Sequence, residues 1–342
     1  MLGEIIIQMT RMPTKTDNLL IPAICQDIEA AHRVLVVTHI RPDGDAVGSL
    51  LGMGHALQAV GKDVQMVLPE GVPHNLRHLM GSENIRMKPV GSFDLIIVLD
   101  VSAIPRLGKV LDGYGIPDIN IDHHYANECF ARRNLVESDA VATAEIVARH
   151  LSDFSLPMSE LVANALLTGL ITDTIGFRTT NVNPGTLRVV ANLMEAGGCL
   201  SAMYYPALVQ RTFDEARYWG AGLSKMQQQD RLVWTYLSLD DRRCAGYLGN
   251  DDADLINLLS TIKGVDIAMI LVEQSRSRVK ISWRLCGQAT YNVDVSQIAK
   301  KFGGGGHKTA AGAEIDGALA EVLTKTVGIT QEYLAINFGP PA

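Results

Sequence analysis

The sequence predicts a two-domain α/β protein, and three observations carry that expectation. Short, continuous, β-branched apolar runs alternate with helical segments through the first half, as in a parallel sheet covered on both faces. Acidic or imidazole residues stand at or just past the ends of three of those runs. Beyond about residue 200 the pattern changes to polar, mixed sequence and then to a second, smaller set of strand-like runs. At 342 residues the chain is long enough for two separate cores.

Taken in order, the segment MLGEIIIQMTRMPTKTD lacks the apolar core and cleavage site of a signal peptide. It reads as part of a short extension over residues 1–23. Residues 24–35 read as a helix leading into the buried strand Val34–Thr38. After a loop at Pro42 to Asp45, AVGSLLGMGHALQAV reads as a helix, with Gly61 suited to its C-terminal cap. Further short strands follow at 64–68 (VQMVL), 94–100 (DLIIVLD) and 119–122 (INID). The segment 161–174, LVANALLTGLITDT, is apolar over a wide face and reads as a buried helix ending near Asp173. These elements define a first domain over 24–200. Residues 201–230, with the charged stretch QRTFDEAR, read as a helical connector. LVWTYLSL, DIAMILVEQ, RVKISWRL and the helix-like VSQIAKKFG then make a smaller α/β domain over 231–335.

Composition narrows the class of partner. With 47% hydrophobic and 20% charged residues this is an ordinary soluble globular chain. The net charge of −7 argues against long duplex nucleic acid held by a broad basic face, while leaving room for a short nucleotide on a few local cations. No apolar run reaches the roughly 18 residues of a membrane span. Cys25, Cys129, Cys199, Cys244 and Cys286 are scattered, without a CxxC pair, which fits free thiols in a reducing cytoplasm.

The chemistry is concentrated in four short motifs. THIRPDGDAVGS carries His39, Asp43 and Asp45; VLDVS carries Asp100; NIDHH carries Asp122, His123 and His124; LITDT carries Asp173. Pro42 and Gly44 break any helix, so the first motif is a turn after a strand. Asp43 and Asp45 can each face a different ion; a plain helix cap at Asp45 is the structural alternative. Asp43, Asp100 and Asp122 all fall at C-terminal strand ends, which share one edge of a parallel sheet, the edge where open α/β folds bind ligands. Adjacent imidazoles point in different directions, so one can ligate while the other faces substrate, with Asp122 orienting an imidazole. Arg106, in AIPRLG, reads as a partner for these acids. A dense set of carboxylates and imidazoles suits divalent metals that activate water and neutralise phosphate, and so points to phosphoester hydrolysis.

In the second domain, Val279, Ile281 and Trp283 fall on one strand face and Lys280, Ser282 and Arg284 on the other, a face suited to phosphate. FGGGGHKTAAGA (302–313) follows. Consecutive glycines allow close backbone approach to a ligand and offer amide donors, and His307 comes directly after them.

The four motifs, in this order over residues 34–180, resemble those of the DHH phosphoesterase superfamily, which includes RecJ-type exonucleases and family II inorganic pyrophosphatases. FGGGGH resembles the GGGH motif of the DHH-associated C-terminal domain, and the likeness then extends over about residues 24–335. It resembles in particular the oligoribonuclease (nanoRNase) and 3′-phosphoadenosine 5′-phosphate phosphatase subfamily. The resemblance implies a parallel-sheet domain plus the smaller α/β domain, with the active site in the cleft between them. It implies two Mn²⁺ ions, with Mg²⁺ or Co²⁺ as substitutes. One would be held by His39, Asp43 and Asp100, the other by Asp45, Asp100, His123 and Asp173, with Asp100 bridging. His124 would contact the phosphate or assist the leaving group, and Asp100, Asp122 and Arg106 complete the catalytic set. Arg284, Ser282, Gly305, Gly306 and His307 would hold substrate. Leu285 departs from the family, whose members often carry a small polar residue after the arginine. The expected activity is hydrolysis of short RNA oligonucleotides or 3′-phosphoadenosine 5′-phosphate by a metal-bridging hydroxide, in a cytoplasmic homodimer.

Rival readings keep parts of this pattern. A phosphodiesterase for cyclic or linear dinucleotides shares all of it. An inorganic pyrophosphatase or exopolyphosphatase-like enzyme shares the metal motifs, although a pyrophosphatase places a lysine and arginine site where GGGH stands. A processive exonuclease needs further domains and a basic groove. A nucleotide sensor would lose metal ligands, and a purely structural scaffold leaves His39, Asp43, Asp45 and His123 unexplained.

Overall fold

The computed structural model describes residues 17–287, 293–306 and 308–338. The chain forms two compact units, Met1–Gln210 and Arg211–Ala342. In the first unit the order is α1 (Asp17–Ala30), β1 (Arg33–Val37), α2 (Gly44–Ala59), β2 (Asp63–Val67), β3 (Leu95–Leu99), β4 (Ile119–Asp122) and β5 (Arg133–Val136). Then come α3 (Thr143–His150), α4 (Glu160–Asp173), α5 (Pro184–Glu195) and α6 (Leu200–Tyr204), which runs on into a π-helical turn, Tyr205–Val209.

The five strands form one sheet in the order β2-β1-β3-β4-β5, every pair parallel. Alternate residues divide between two cores, as a pleated strand buried on both faces requires. Val34, Val36, Ile97, Leu99, Ile119 and Ile121 pack with the helices, while Leu35, Val37, Val67, Ile96 and Val98 meet Val101, Leu107 and Val110 on the other face.

Two boundaries differ from the expected ones. Helix α1 begins at Asp17, inside the expected extension, because Leu20 and Ile21 join Ile24 and Ile28 in packing on the first core. The expected connector, 201–230, is no free-standing link. The π-helical turn packs against α4, while α7 (Phe213–Leu223) opens with a full capping box, Thr212 with Glu215, and packs within the second unit.

The second unit continues with β6 (Gln227–Gln229), β7 (Leu232–Leu237), α8 (Leu239–Ala245), α9 (Leu255–Leu259), β8 (Ile267–Ser275), β9 (Arg278–Leu285), α10 (Val295–Lys300), β10 (Gly305–Gly306), β11 (Ala310–Asp316) and α11 (Leu319–Phe338). Its sheet runs β10-β11-β9-β8-β7-β6, antiparallel except for the β7–β8 pair. As the alternation predicts, Val279, Ile281 and Trp283 are fully buried, in a core that includes residues of α10 and α11, and Lys280, Ser282 and Arg284 are half-buried on the opposite face. No helix among the described residues is long and apolar enough to cross a membrane. All five cysteines are free.

Candidate metal centre

The four motifs come together at the C-terminal edge of the first sheet. His39 and Asp43 lie in the loop after β1, Asp100 is the first residue after β3, Asp122 ends β4 with His123 and His124 directly beyond, and Asp173 ends α4. Helix α2 meets α4 closely enough to bring Asp45, in its first turn, near Asp173. Small residues permit this: a Cβ on Gly48 would meet the Ala165 carbonyl at 2.5 Å, and one on Gly169 would meet the Ala144 Cβ at 2.6 Å and Asp45 Oδ1 at 2.9 Å.

Three sets of donor atoms each lie within 4.8 Å of one another: His39, Asp43 and Asp100; Asp45, His123 and Asp173; and Asp100, His123 and His124. Asp100 is common to two of them, and its two oxygens are divided. Its Oδ2 is 3.2 Å from His39 Nε2, while its Oδ1 is 3.7 Å from His123 Nε2 and 3.6 Å from His124 Nδ1. His39, 1% exposed, places Nδ1 2.9 Å from the Ile40 carbonyl, which can only accept, so in the neutral ring Nε2 keeps its lone pair for the site.

These distances fit cations. His123 Nε2 stands 3.7–4.0 Å from Asp45, Asp100 and Asp173, too far for hydrogen bonds. Ligands about 2.1 Å from one ion lie roughly 3 Å apart when adjacent and about 4.2 Å apart when opposed. The charge balance agrees. Burial first, and then the neighbouring charges of Asp45 and Asp43, push the Asp100 carboxyl well above the usual carboxylate range. Burial and Asp43 likewise raise Asp45. Burial lowers His123, but Asp100, Asp45 and Asp173 outweigh it and lift the imidazole to about 9. Buried, mutually repelling carboxylates that one imidazole only partly offsets are what divalent cations neutralise.

Asp122 is fully buried and orients His124: its Oδ1 lies 2.6 Å from His124 Nδ1, and its Oδ2 accepts from Asn127 Nδ2 at 2.5 Å. Burial works to raise this carboxyl, yet the His124 contact and Asn127 prevail and hold it below the usual range.

Two sequence readings change in detail, and two residues are added. The cap of α2 is Asp43, whose Oδ1 accepts from Ala46 N at 3.0 Å; Asp45 instead accepts from Thr143 N at 2.6 Å and Ala144 N at 2.9 Å, across to α3. Arg106 is exposed, and among the described residues its guanidinium forms no ion pair with these acids; its carbonyl ties the loop by accepting from Ile40 N at 2.8 Å. Thr143, whose hydroxyl donates to Asp100 Oδ1 at 3.1 Å, was not singled out from sequence, nor was Asn127. Their short polar side chains carry no signal until the partner carboxylates are known.

In the second unit the glycine run is an edge strand. Gly305 pairs with Gly312, which pairs with Ser282, so Ser282 and Gly305 share one row across the sheet. Gly304 and Gly306 are glycine because β11 crowds them: a Cβ would meet the Gly312 carbonyl at 2.2 Å and the Ala310 carbonyl at 2.5 Å, respectively. Gly305 faces open space. Arg284, two register positions along opposite Ala310, has Asp254 as a charged neighbour. His307 lies outside the described residues.

The DHH family N-terminal domain matches residues 33–170, and the DHHA1 domain matches residues 246–333. A bifunctional oligoribonuclease and PAP phosphatase of Thermus thermophilus is 33% identical over 291 residues, 83% of this chain and 84% of that protein. A cyclic-di-AMP phosphodiesterase of Listeria monocytogenes is 23% identical over 91% of this chain and 49% of its own length. The crystal structure of an exopolyphosphatase-related protein from Bacteroides fragilis is similar with a TM-score of 0.85 and 26% identity, over 95% of this chain and 99% of that one.

Proposed function

The chain belongs to the DHH family and hydrolyses phosphoester bonds, and from that premise we propose that its substrates are short nucleotides: RNA oligonucleotides of a few residues and 3′-phosphoadenosine 5′-phosphate. The observation that carries the hydrolytic chemistry is the division of Asp100 between two donor sets, which suits two cations sharing one carboxylate. His39, Asp43 and Asp100 would hold one, and Asp45, Asp100, His123 and Asp173 the other. Mixed imidazole and carboxylate donors suit Mn²⁺ better than Mg²⁺. When bound, such ions lower the pKa of water and neutralise phosphate charge.

The chain's own groups do the remainder. Asp122 and Asn127 fix the ring of His124, which faces the scissile phosphate and hands a proton to the leaving oxygen. Arg284, Ser282, Gly305, Gly306 and His307 bind the nucleotide's phosphate, the arginine as a two-pronged donor. Arg106 serves through the loop it ties. The likeness to the oligoribonuclease and PAP phosphatase spans both domains, which supports nucleotides over pyrophosphate. The cyclic-di-AMP phosphodiesterase supports a second reading, cyclic or linear dinucleotides. A cytoplasmic location and a homodimer complete the proposal on family resemblance.

The test is chromatography of products after incubation with Mn²⁺ and, in parallel, pApA, 3′-phosphoadenosine 5′-phosphate, cyclic di-AMP and pyrophosphate. Cleavage of the first two is expected. Cleavage of cyclic di-AMP alone would favour the second reading, and cleavage of pyrophosphate alone would overturn both.

A further inference from the structure

Thr143 is fully buried and bonds two of the candidate ligands at once. Its backbone N–H donates to Asp45 Oδ2 at 2.6 Å and its hydroxyl to Asp100 Oδ1 at 3.1 Å, reaching residues 98 and 43 positions away in the chain. The backbone half has a plain cause. Helix α3 has Ala142 at its N-cap and no side-chain cap of its own, so its first amides need acceptors. Asp45, from another helix, supplies both oxygens to Thr143 N and Ala144 N. The end of α3 is held from behind by Glu145, whose Oε2 accepts from Val141 N at 2.8 Å and which pairs with Arg149.

The hydroxyl half has no such structural cause, since a buried valine would fill the same space. Its effect is on rotation. A free aspartate carboxylate turns about its last torsion, which is broad and roughly two-fold, and can offer both oxygens to one ion. The hydroxyl holds Oδ1 on the His123 side while Oδ2 stays 3.2 Å from His39 Nε2. A lysine in this place would orient the carboxylate but bring a positive charge that competes with a cation; a hydroxyl orients and adds none.

We propose that Thr143 is a positioning residue: its hydroxyl sets the division of Asp100 between the two ion positions, and so the filling of the second position. The proposal rests on the two-cation reading of the site. A role in helix packing alone would be unaffected by loss of the donor at constant shape.

The full chain and the variants Thr143→Val and Thr143→Ser are titrated with Mn²⁺, following free Mn²⁺ by electron paramagnetic resonance. Melting temperature without metal and kcat and KM on pApA are measured alongside. Wild type and the serine variant should take up two ions per chain. The valine variant, melting within a few degrees of wild type, should bind the second ion about 10- to 100-fold more weakly. Its kcat should fall by a similar factor, with KM changed less. A valine variant that binds both ions with wild-type affinity overturns the proposal, as does a serine variant as impaired as valine. Should the valine variant not fold, Thr143→Ala, which cannot crowd its neighbours, reads the same loss of donor. A wild type that takes up no Mn²⁺ would instead remove the two-cation reading, and this proposal with it.

Discussion

Asp100→Asn isolates the shared carboxylate, because asparagine has the same shape and can occupy the same backbone. Asp100 has φ +60, in the left-handed region that asparagine, like aspartate, tolerates better than most residues. The amide oxygen can still accept from Thr143 Oγ1, and the NH₂ can donate to His39 Nε2 across the present 3.2 Å. The metal-free fold should therefore survive. Relative to wild type it should also gain stability as pH rises. A carboxyl held above its unfolded value of about 4 makes the fold lose stability as pH rises past that value. Burial beside Asp45 and Asp43 puts Asp100 in that position. The advantage of the metal-free variant over wild type should thus grow from pH 4 towards 7. With Mn²⁺ the order reverses. At a hundredfold excess over Kd each ion stabilises the wild type by about 2.7 kcal/mol, about 5 kcal/mol for two. For a unit of this size that is a melting shift on the order of 10 °C. If the bridging charge is worth on the order of a thousandfold in affinity, roughly 4 kcal/mol, the same Mn²⁺ concentration falls to about a tenth of the new Kd. The stabilisation then drops below about 0.1 kcal/mol. Differential scanning fluorimetry with and without MnCl₂ reads this directly. A variant keeping more than half the wild-type shift, or its turnover, would refute the bridging argument.

Further expectations test other parts of the molecule. Gly169→Ala would ordinarily favour a helix by up to about 1 kcal/mol. Here the new Cβ meets Ala144 and Asp45, so a net loss of about 1–3 kcal/mol in urea unfolding and weaker Mn²⁺ uptake are expected. Gly328→Ala, in open space on α11, is the control and should be neutral or stabilising. Arg284→Ala should raise KM for nucleotides roughly 10- to 100-fold, the value of a charge-assisted hydrogen bond, and leave the Mn²⁺ melting shift unchanged; an unchanged KM removes Arg284 from the substrate site. His150 lies 3.0 Å from Glu137 Oε1 and 2.8 Å from Asp153 Oδ2, and these partners raise its pKa against the opposing effect of burial. Such a histidine stabilises the fold fully below its unfolded value of about 6.5, and the contribution fades as pH rises through the higher folded value. His150→Ala should therefore cost more at pH 6 than at pH 9 in chemical denaturation, and an equal cost at both would count against the pair.

The candidate ligands could be picked out in sequence because their types are rare at the ends of apolar runs. His39, Asp43, Asp100 and Asp122 each stand at or just past the end of a run that reads as a buried strand, and parallel strands bring such ends to one edge. The strands themselves were legible wherever they were continuously apolar. Strand β5, RNLV, was not, because at the sheet's edge three of its four residues are only half-buried and no apolar run marks it. The glycines were legible as a close approach, but not as an approach to β11, since the pairing partner is fixed by register rather than by composition.

What no single motif contains is which oxygen of each carboxylate is available. Asp45 Oδ1 already accepts from Ala144 N and from Ser49 Oγ at 3.1 Å, so the oxygen with capacity left towards His123 is Oδ2, 4.0 Å from Nε2. Asp100 divides its oxygens because Thr143 restrains one of them. These assignments come from the first amides of α3 and the Thr143 hydroxyl, on a helix of eight residues whose sequence, TAEIVARH, supplies none of the candidate ligands. A short helix that lacks a cap can only be placed where another element supplies one. Here the side chain that supplies it, Asp45, is itself a candidate ligand, so capping α3 and orienting that carboxylate are one event. The backbone bond from Thr143 to Asp45 therefore serves both the folding of that corner and the preorganisation of the site, whereas the hydroxyl bond to Asp100 serves the second alone, which is why loss of the hydroxyl with the backbone bond left in place separates the two.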